Sequence, residues 1–487
     1  MASDRSFHGP GCWIVSAIAG VLAGLFLTWV IPPTYSAGLP VVPLWLVAPF
    51  CLLLASIALM PFIHARFWHH HYPDFSFALG GLVAGYYLFG FAQKAAGGTA
   101  YGPHEVFHAL AEYYAFIALV GGLFVVSGGI LVDLRGRGGP AMNGVLLAIG
   151  AVLANIVGTT GASMLLIRPF MRINSGRLTP IHVVFFIFIV SNCGGSMTPI
   201  GDPPLYLGFI KGVPFFWTLV NMWYDWLFVV GVLIGAFLIY DARISKRGVD
   251  TMSPLPTMSE ASQLAAEEIE SKPGLRIRGH VGLICLVLMI AGVFIDPALK
   301  RFAGIEGYHA GATFQLLVAV VSYLLAPRDI LAANDFSFVP VKEVALLFLG
   351  IFVTMLPALA YLGEHGQQLG IKTPTAFYFG TGVLSAVLDN APTYVNFLQI
   401  AFGPTPINAG TVATFLATPD GRLTLNAIST GAVFFGAMTY IGNGPNFMVK
   451  AIAETAGVTM PSFFGYLGYA AAVLLPILVV HWAIFIR

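Results

Sequence analysis

Two aspartates stand in strongly apolar surroundings, each beside residues that interrupt helices. Asp202 closes the string Ser191-Asn192-Cys193-Gly194-Gly195-Ser196-Met197-Thr198-Pro199-Ile200-Gly201-Asp202-Pro203-Pro204. Asp389 sits in Ser385-Ala386-Val387-Leu388-Asp389-Asn390-Ala391-Pro392-Thr393. Helix breakers free backbone amides and carbonyls, and a bilayer tolerates these only where they face protein or line a watery cavity. An ionisable side chain at that depth points to function. Carboxylate, amide, hydroxyl and carbonyl oxygens are the ligands a small hard cation prefers. Exposed ends of half-helices add dipoles suited to ions.

Two further breaks carry the same residue types. Asn155, Thr159 and Thr160 lie in Asn-Ile-Val-Gly-Thr-Thr-Gly, and Asn443 and Asn446 lie in Gly-Asn-Gly-Pro-Asn. The candidate binding set is therefore Asp389, Asn390, Thr393, Ser191, Asn192, Gly194, Gly195, Thr198, Asp202, Asn155, Thr159, Thr160, Asn443 and Asn446. Asp202 and Asp389 are its candidate sodium ligands. Each aspartate also has a plain structural reading. Asp389 suits the cap of a returning half-helix, although Ser or Asn would cap without placing charge at depth. Asp202, ahead of two prolines, suits a helix end.

Composition sets the class. Charged residues are 9% of the 487, against about 25% in a soluble domain, and mean hydropathy is +0.84. The chain reads as a polytopic membrane protein in contact with the lipid bilayer. A net charge of +1 excludes a nucleic-acid footprint. Cys12, Cys51, Cys193 and Cys285 show neither a pairing pattern nor a zinc pattern. Neither a nucleophile–base pair nor metal-ligand spacing suggests an enzyme, and no cofactor is expected. His104, His108 and Glu112 share a helix face but read as an external helix end, and His69-His70-His71 as interfacial. Lys94, Lys211 and Lys450 read as snorkelling, and Arg168 as a cytoplasmic rim residue.

A membrane span needs about 20 mainly apolar residues. Eleven candidates follow: 12–31, 41–63, 75–96, 108–132, 180–209, 215–240, 279–296, 309–326, 341–362, 424–453 and 462–486. The first is too long for a signal peptide's apolar region and reads as a retained helix. Two more apolar stretches, 142–170 and 373–402, are broken centrally and read as re-entrant hairpins. With the segment 241–278 placed in the cytoplasm, most of the 23 Lys and Arg fall on that side, as the positive-inside rule requires. The N-terminus is then cytoplasmic, and the two hairpins enter from opposite faces.

The expected fold is all-α, with about 11 transmembrane helices and two re-entrant hairpins in an inverted repeat. Residues 1–40 form an N-terminal extra helix and 41–240 the first repeat. A cytoplasmic linker, 241–278, leads to the second repeat, 279–487. Within the linker, 259–270 reads as a surface helix or as disordered chain. Gly20/Gly24, Gly81/Gly85 and Gly231/Gly235 are read as close helix contacts.

At the interrupted strings the chain resembles the ion transporter superfamily. It looks most like the branch holding D-type sodium/proton antiporters, arsenite permeases and citrate transporters of the CitMHS type. The similar strings are 191–204, Leu-Ser-Ala-Val-Leu-Asp-Asn-Ala-Pro-Thr at 384–393, and Gly-Asn-Gly-Pro-Asn at 442–446. The resemblance runs over roughly 80–486. It implies a homodimer with scaffold and transport subdomains, elevator-like movement of the latter, and a bacterial-type inner membrane. The dicarboxylate-transporting branch typically carries Ser-Asn-Thr at both hairpin tips. Here the tips read Gly-Thr-Thr-Gly and Asp-Asn-Ala-Pro-Thr.

Charge orders the readings. Two carboxylates and no well-placed Arg or Lys line the expected cavity, which favours a cation. Sodium competing with protons at these acids gives a sodium/proton antiporter. The alternatives are a symporter for citrate or a related organic anion, driven by a cation or proton, and an arsenite-type oxyanion permease.

Overall fold

The computed structural model describes residues 10–36, 39–92, 100–136, 138–247, 274–304 and 309–487. Lys94 and the linker stretch 259–270 lie outside these residues. Apolar helices dominate the described chain, and seven are long enough to cross a bilayer: Cys12–Val30, Leu44–Pro61, Tyr101–Gly128, Pro140–Ile173, Trp223–Ser245, Val339–His365 and Phe463–Ile486. An eighth candidate is His280–Gly292 with Ile295–Ala303, bent by 43°. Pro180–Gly195 and Ala310–Leu325 are apolar but shorter. The protein is an all-α polytopic integral membrane protein.

The chain forms two compact units, each assembled from separated segments. The first takes Met1–Ile117, Val339–Lys372 and Val395–Ile407, and the second takes Ala118–Phe338, Thr373–Tyr394 and Asn408–Arg487.

In the first unit, helix Pro10–Val30 lies backbone to backbone on Ala65–Gly85. Cβ atoms on Gly20 and Gly24 would run into the Ala78 and Leu82 carbonyls, and one on Gly81 would come within 2.6 Å of the Ala17 carbonyl. Small residues permit this approach, and dispersion then holds the pair where lipid offers no hydrophobic gain. Val339–His365 lies on the same helix. The Ser76 hydroxyl donates to the Leu346 carbonyl at 2.7 Å, and a Cβ on Gly80 would be 3.3 Å from the Gly350 Cα. Tyr86, Tyr87, Phe91, Leu46 and Val353 fill the core beside them.

Gly231 and Gly235 depart from the same expectation. A Cβ at either would meet nothing within 4 Å, so their spacing on helix Trp223–Arg247 does not mark a contact among the described residues.

The second unit contains the breaks. Pro140–Ile173 is not a straight rod, because Gly158 takes φ 78° and ψ 156°, open essentially to glycine alone. The chain doubles back there. Asn143 and Asn174, 31 positions apart, exchange reciprocal amide hydrogen bonds of 2.8 Å. A straight helix would separate them by about 46 Å. Between the arms, a Cβ on Gly150 would lie 3.1 Å from Leu166 Cδ1.

The other interruptions leave short helices on either side. Pro180–Ile189 and Pro203–Ile210 flank a tight turn at Cys193–Gly195, and Pro419–Phe435 and Gly444–Thr455 flank one at Gly436–Met438. Pro374–Val387 and Asn390–Phe402 are separated by extended Leu388, φ −108° and ψ 167°.

One expected span ends early. Helix Tyr101–Gly128 stops at its terminal glycine, short of 132. Leu131–Arg135 pairs instead as an antiparallel strand with Gly274–Arg278, setting Asp133 opposite Arg276. Apolar residues alternate with polar ones over 132–135 and 275–278, a period that suits a strand and not a helix.

Candidate functional site

Asp202 stands immediately before helix Pro203–Ile210 in extended conformation, φ −143° and ψ 142°. It therefore stands at a helix end, as the two prolines after it suggest, but its side chain makes no capping bond to that helix. The carboxylate is 1% exposed. Thr159 from the hairpin tip donates its hydroxyl to Oδ1 at 2.9 Å. Asn443 donates to the same oxygen at 2.9 Å, and Asn390 donates to Oδ2 at 2.7 Å. All three interrupted partners therefore converge on one carboxylate. Among the described residues, no Lys, Arg or His side chain is bonded to it.

The donors are held by their own breaks. Gly158 turns the chain so that the Thr159 amide donates to the Gly201 carbonyl at 2.8 Å. Asn155 fixes the turn from below. Its Nδ2 donates to the Gly194 carbonyl at 2.6 Å, its Oδ1 accepts the Met197 amide at 2.8 Å, and its own carbonyl accepts the Thr198 hydroxyl at 2.6 Å. Gly195 and Gly201 touch so closely that a Cβ on Gly201 would overlap the Gly195 carbonyl.

A buried amide chain ties the two broken spans together. Asn192 donates to the Ile187 carbonyl at 2.9 Å and to Asn446 Oδ1 at 2.6 Å. Asn446 donates in turn to the carbonyls of Gly436 and Thr439 at 2.8 and 2.9 Å. Asn443 also reaches the Ser191 carbonyl at 3.2 Å, and Ser191 shares a 2.7 Å hydroxyl contact with Ser163. The Oδ1 atoms of Asn192 and Asn390 are buried without a hydrogen-bond donor among the described residues. Both amides face Gly436. Asn192 Oδ1, the Gly442 carbonyl and Asn390 Nδ2 lie 3.3–3.4 Å from the point a Cβ there would occupy.

Three of the expected residues have no hydrogen bond to the Asp202 carboxylate among the described residues. Asp389 is half-buried, and its Oδ1 accepts the Ala391 amide at 3.0 Å. It caps its helix, and its neighbour Asn390 makes the bond to Asp202. The Thr393 hydroxyl donates to the Asp389 carbonyl at 2.9 Å. Thr160 lines a small, mostly apolar cavity with Leu123, Val157, Pro199 and Tyr206. Arg168 pairs with Asp335 at 3.2 Å. His104 and His108 have ring centroids 5.4 Å apart, and the described residues hold no group of three or more metal-ligating side chains.

The two broken spans repeat each other in detail. Gly195-Ser-Met-Thr-Pro-Ile-Gly-Asp-Pro-Pro204 and Gly436-Ala-Met-Thr-Tyr-Ile-Gly-Asn-Gly-Pro445 agree at glycine, methionine, threonine, isoleucine, glycine and proline. Thr439 does what Thr198 does. Its hydroxyl donates to the Ala386 carbonyl at 2.5 Å and accepts the Gly442 amide at 3.2 Å. Thr198 accepts the Gly201 amide at 3.1 Å. Asn443 has the backbone of Asp202, φ −154° and ψ 138°, and likewise makes no capping bond. Sequence reasoning missed Thr439 and Ser163, and it missed Trp226, whose indole donates to the Gly194 carbonyl at 2.8 Å. Aligning the two strings would have found Thr439. Ser163 and Trp226 carry no local signal.

Similarity to known proteins agrees with this arrangement. Residues 40–486 match the family model CitMHS_2, described as "Putative citrate transport". An uncharacterized transporter of Mycobacterium tuberculosis is 27% identical over 357 residues, 70% of this chain and 75% of the relative. An uncharacterized transporter of Mycobacterium bovis aligns with the same figures. A 46 kDa membrane protein of Mycobacterium leprae is 26% identical over 337 residues, 66% of this chain and 72% of the relative. A match across nearly the whole chain, on a fold of apolar helices interrupted around a buried carboxylate, means that the protein belongs to the CitMHS_2 family of transporters.

Proposed function

We propose that the protein is a secondary active transporter exchanging sodium for protons, with Asp202 as the carboxylate that holds either ion. The observation that carries this reading is the buried Asp202 carboxylate, bonded among the described residues only to the neutral donors Thr159, Asn390 and Asn443. A buried charge is normally compensated by an opposite one. Here hydrogen bonds and the positive ends of four half-helices, beginning at 159, 203, 390 and 444, hold the anion. A small cation or a proton completes the balance. Asn192 Oδ1 and Asn390 Oδ1, buried without a donor among the described residues, and the Gly442 carbonyl are the neutral oxygens this reading offers to the cation.

The finer architecture belongs to the same proposal. Pro140–Ile173 serves as a re-entrant hairpin, and Pro374–Phe402 as its counterpart from the other side. The matching Gly–Met–Thr–Ile–Gly strings support an inverted repeat, and the two interleaved units support a scaffold with a moving transport part in a homodimer. The N-terminus is cytoplasmic in this scheme, and the membrane is of the bacterial inner type.

A second reading, cation-driven uptake of citrate or a related carboxylate, is favoured by the family's description. The lack of a basic side chain at Asp202 then requires the anion to arrive with its charge masked by a bound cation. Proteoliposomes separate the two. Under an imposed pH gradient, sodium should collapse the gradient in the wild type and not in Asp202→Asn. Accumulation of labelled citrate without any sodium-driven proton movement would overturn the exchanger and establish the symporter.

A further inference from the structure

Away from the Asp202 cluster, the second unit buries a histidine–aspartate pair that the proposed exchange does not use. His481 is 0% exposed and Asp225 is 1% exposed. His481 Nε2 lies 2.7 Å from Asp225 Oδ1, and Asn426 donates to Asp225 Oδ2 at 3.1 Å. On its other side, His481 Nδ1 lies 3.0 Å from the Tyr378 hydroxyl. That hydroxyl is also 3.1 Å from the Leu478 carbonyl. Phe228, Phe434 and Phe485 close the ring in.

We propose that His481, with Asp225 and Tyr378, is a proton-binding site distinct from the Asp202 cluster, whichever cargo that cluster carries. The first argument is charge. Asp225 has no Arg or Lys partner among the described residues, and His481 is its only partner able to become a cation. The other buried pair in this unit differs. Asp241 holds His182 at 3.1 Å but also holds Arg177, a permanent cation, so charge balance there does not require a proton on the histidine.

The second argument is the hydroxyl's choice of acceptors. Tyr378 has one hydrogen and two acceptors within reach, His481 Nδ1 and the Leu478 carbonyl. With the ring neutral and Nε2–H facing Asp225, Nδ1 accepts the tyrosine hydrogen. When a proton adds to Nδ1, the ring donates there and the hydroxyl hydrogen turns to the Leu478 carbonyl. Both states keep His481 Nδ1 and the Tyr378 hydroxyl hydrogen-bonded, so the proton enters without orphaning either donor. One proton is taken up, no bond between heavy atoms changes, and the pair goes from a net −1 to neutral.

Among the described residues, its partners include no second base. On Trp223–Arg247 the facing groups are Asp225 and Phe228. On Pro374–Val387 it is Tyr378, behind which lies the Cys193 thiol, and on Pro419–Phe435 they are Asn426 and Phe434. On its own helix, Arg487 turns over the Trp482 ring. Trp226, next to Asp225, donates to the Gly194 carbonyl that Asn155 also engages. One turn of helix thus touches the proton site and the Cys193–Gly195 turn together.

The test uses the full chain in lipid, labelled with ¹⁵N-histidine and followed by solid-state NMR. His481→Gln identifies the resonance by its loss. If that variant does not fold, Tyr378→Phe identifies it, because only His481 loses a bond at Nδ1. The expected result is that the wild-type His481 ring carries one ¹⁵N–H at the alkaline end of a pH series and two at the acidic end, and that in Asp225→Asn it keeps one throughout the same series. A His481 ring held in one protonation state throughout, in the folded wild type, overturns the proposal. So does a titration unchanged by Asp225→Asn.

Discussion

Asn443 donates an amide hydrogen to Asp202 across 2.9 Å and 241 positions of chain, and each residue stands just ahead of a half-helix that its side chain does not cap. Both residues forgo the usual employment of Asp and Asn at such places. The result is a carboxylate and an amide facing each other from equivalent positions, one able to hold charge and one not. Under the proposed exchange, this asymmetry within a repeated string makes Asp202, and not Asn443, the residue that carries the charge.

Asp202→Asn should leave the helices in place and remove gradient-driven transport from proteoliposomes. An amide offers one acceptor oxygen where three donors now find two. The unmatched donors should cost about 1–3 kcal/mol of stability, read as a lower thermal midpoint in detergent. Retention of full transport with the midpoint lowered would leave Asp202 a structural residue only.

Asp389 should behave differently, because among the described residues its carboxylate accepts only the Ala391 amide. Asp389→Asn keeps that acceptor, so stability should move by no more than about 0.5 kcal/mol and transport should persist. Asp389→Ala should cost about 1 kcal/mol as a lost cap. Abolished transport in a well-folded Asp389→Asn protein would restore it to the ion pathway.

The contrast between these two acids shows how far the sequence could be read. Glycine, proline and asparagine inside apolar runs are local signals, so all four interruptions, their helices and most of the polar residues around them were legible. Partner choice was not. Asp389 and Asn390 are adjacent, and only the rotation of one helix start decides which points at Asp202. The early stop at Gly128 was hidden because the apolar run continues through a strand whose partner, Gly274–Arg278, lies beyond the linker.

The fold-back of Pro140–Ile173 makes a prediction about its ends. Asn143→Ala and Asn174→Ala each break the reciprocal amide pair, and Asn143→Ala also removes a donor from Asp241. A double-mutant cycle on thermal unfolding should give a coupling of about 0.5–3 kcal/mol. Additive losses would mean that the two arms do not hold each other.

Glycines separate into two kinds under substitution. Gly158→Ala forces a side chain into φ 78°, ψ 156° and should cost about 1–3 kcal/mol, with transport falling as the Thr159 hydroxyl leaves Asp202. Gly231→Ala meets no neighbour and should be neutral or stabilising by about 0.5–1 kcal/mol. Equal losses from both would show that Gly231 has a contact of its own.

The interleaving of the two units bears on how the protein is made. The first unit draws its last segment from Val395–Ile407, after all of Ala118–Phe338 and Thr373–Tyr394 has been synthesised for the second. Its early helices therefore leave the ribosome long before their final neighbours exist. The contact of Pro10–Val30 with Ala65–Gly85 is already available at that stage, since both helices belong to the first segment. A nascent chain arrested before residue 339 should hold that helix pair and lack the Ser76–Leu346 bond, so completion of the first unit waits on translation of nearly the entire message.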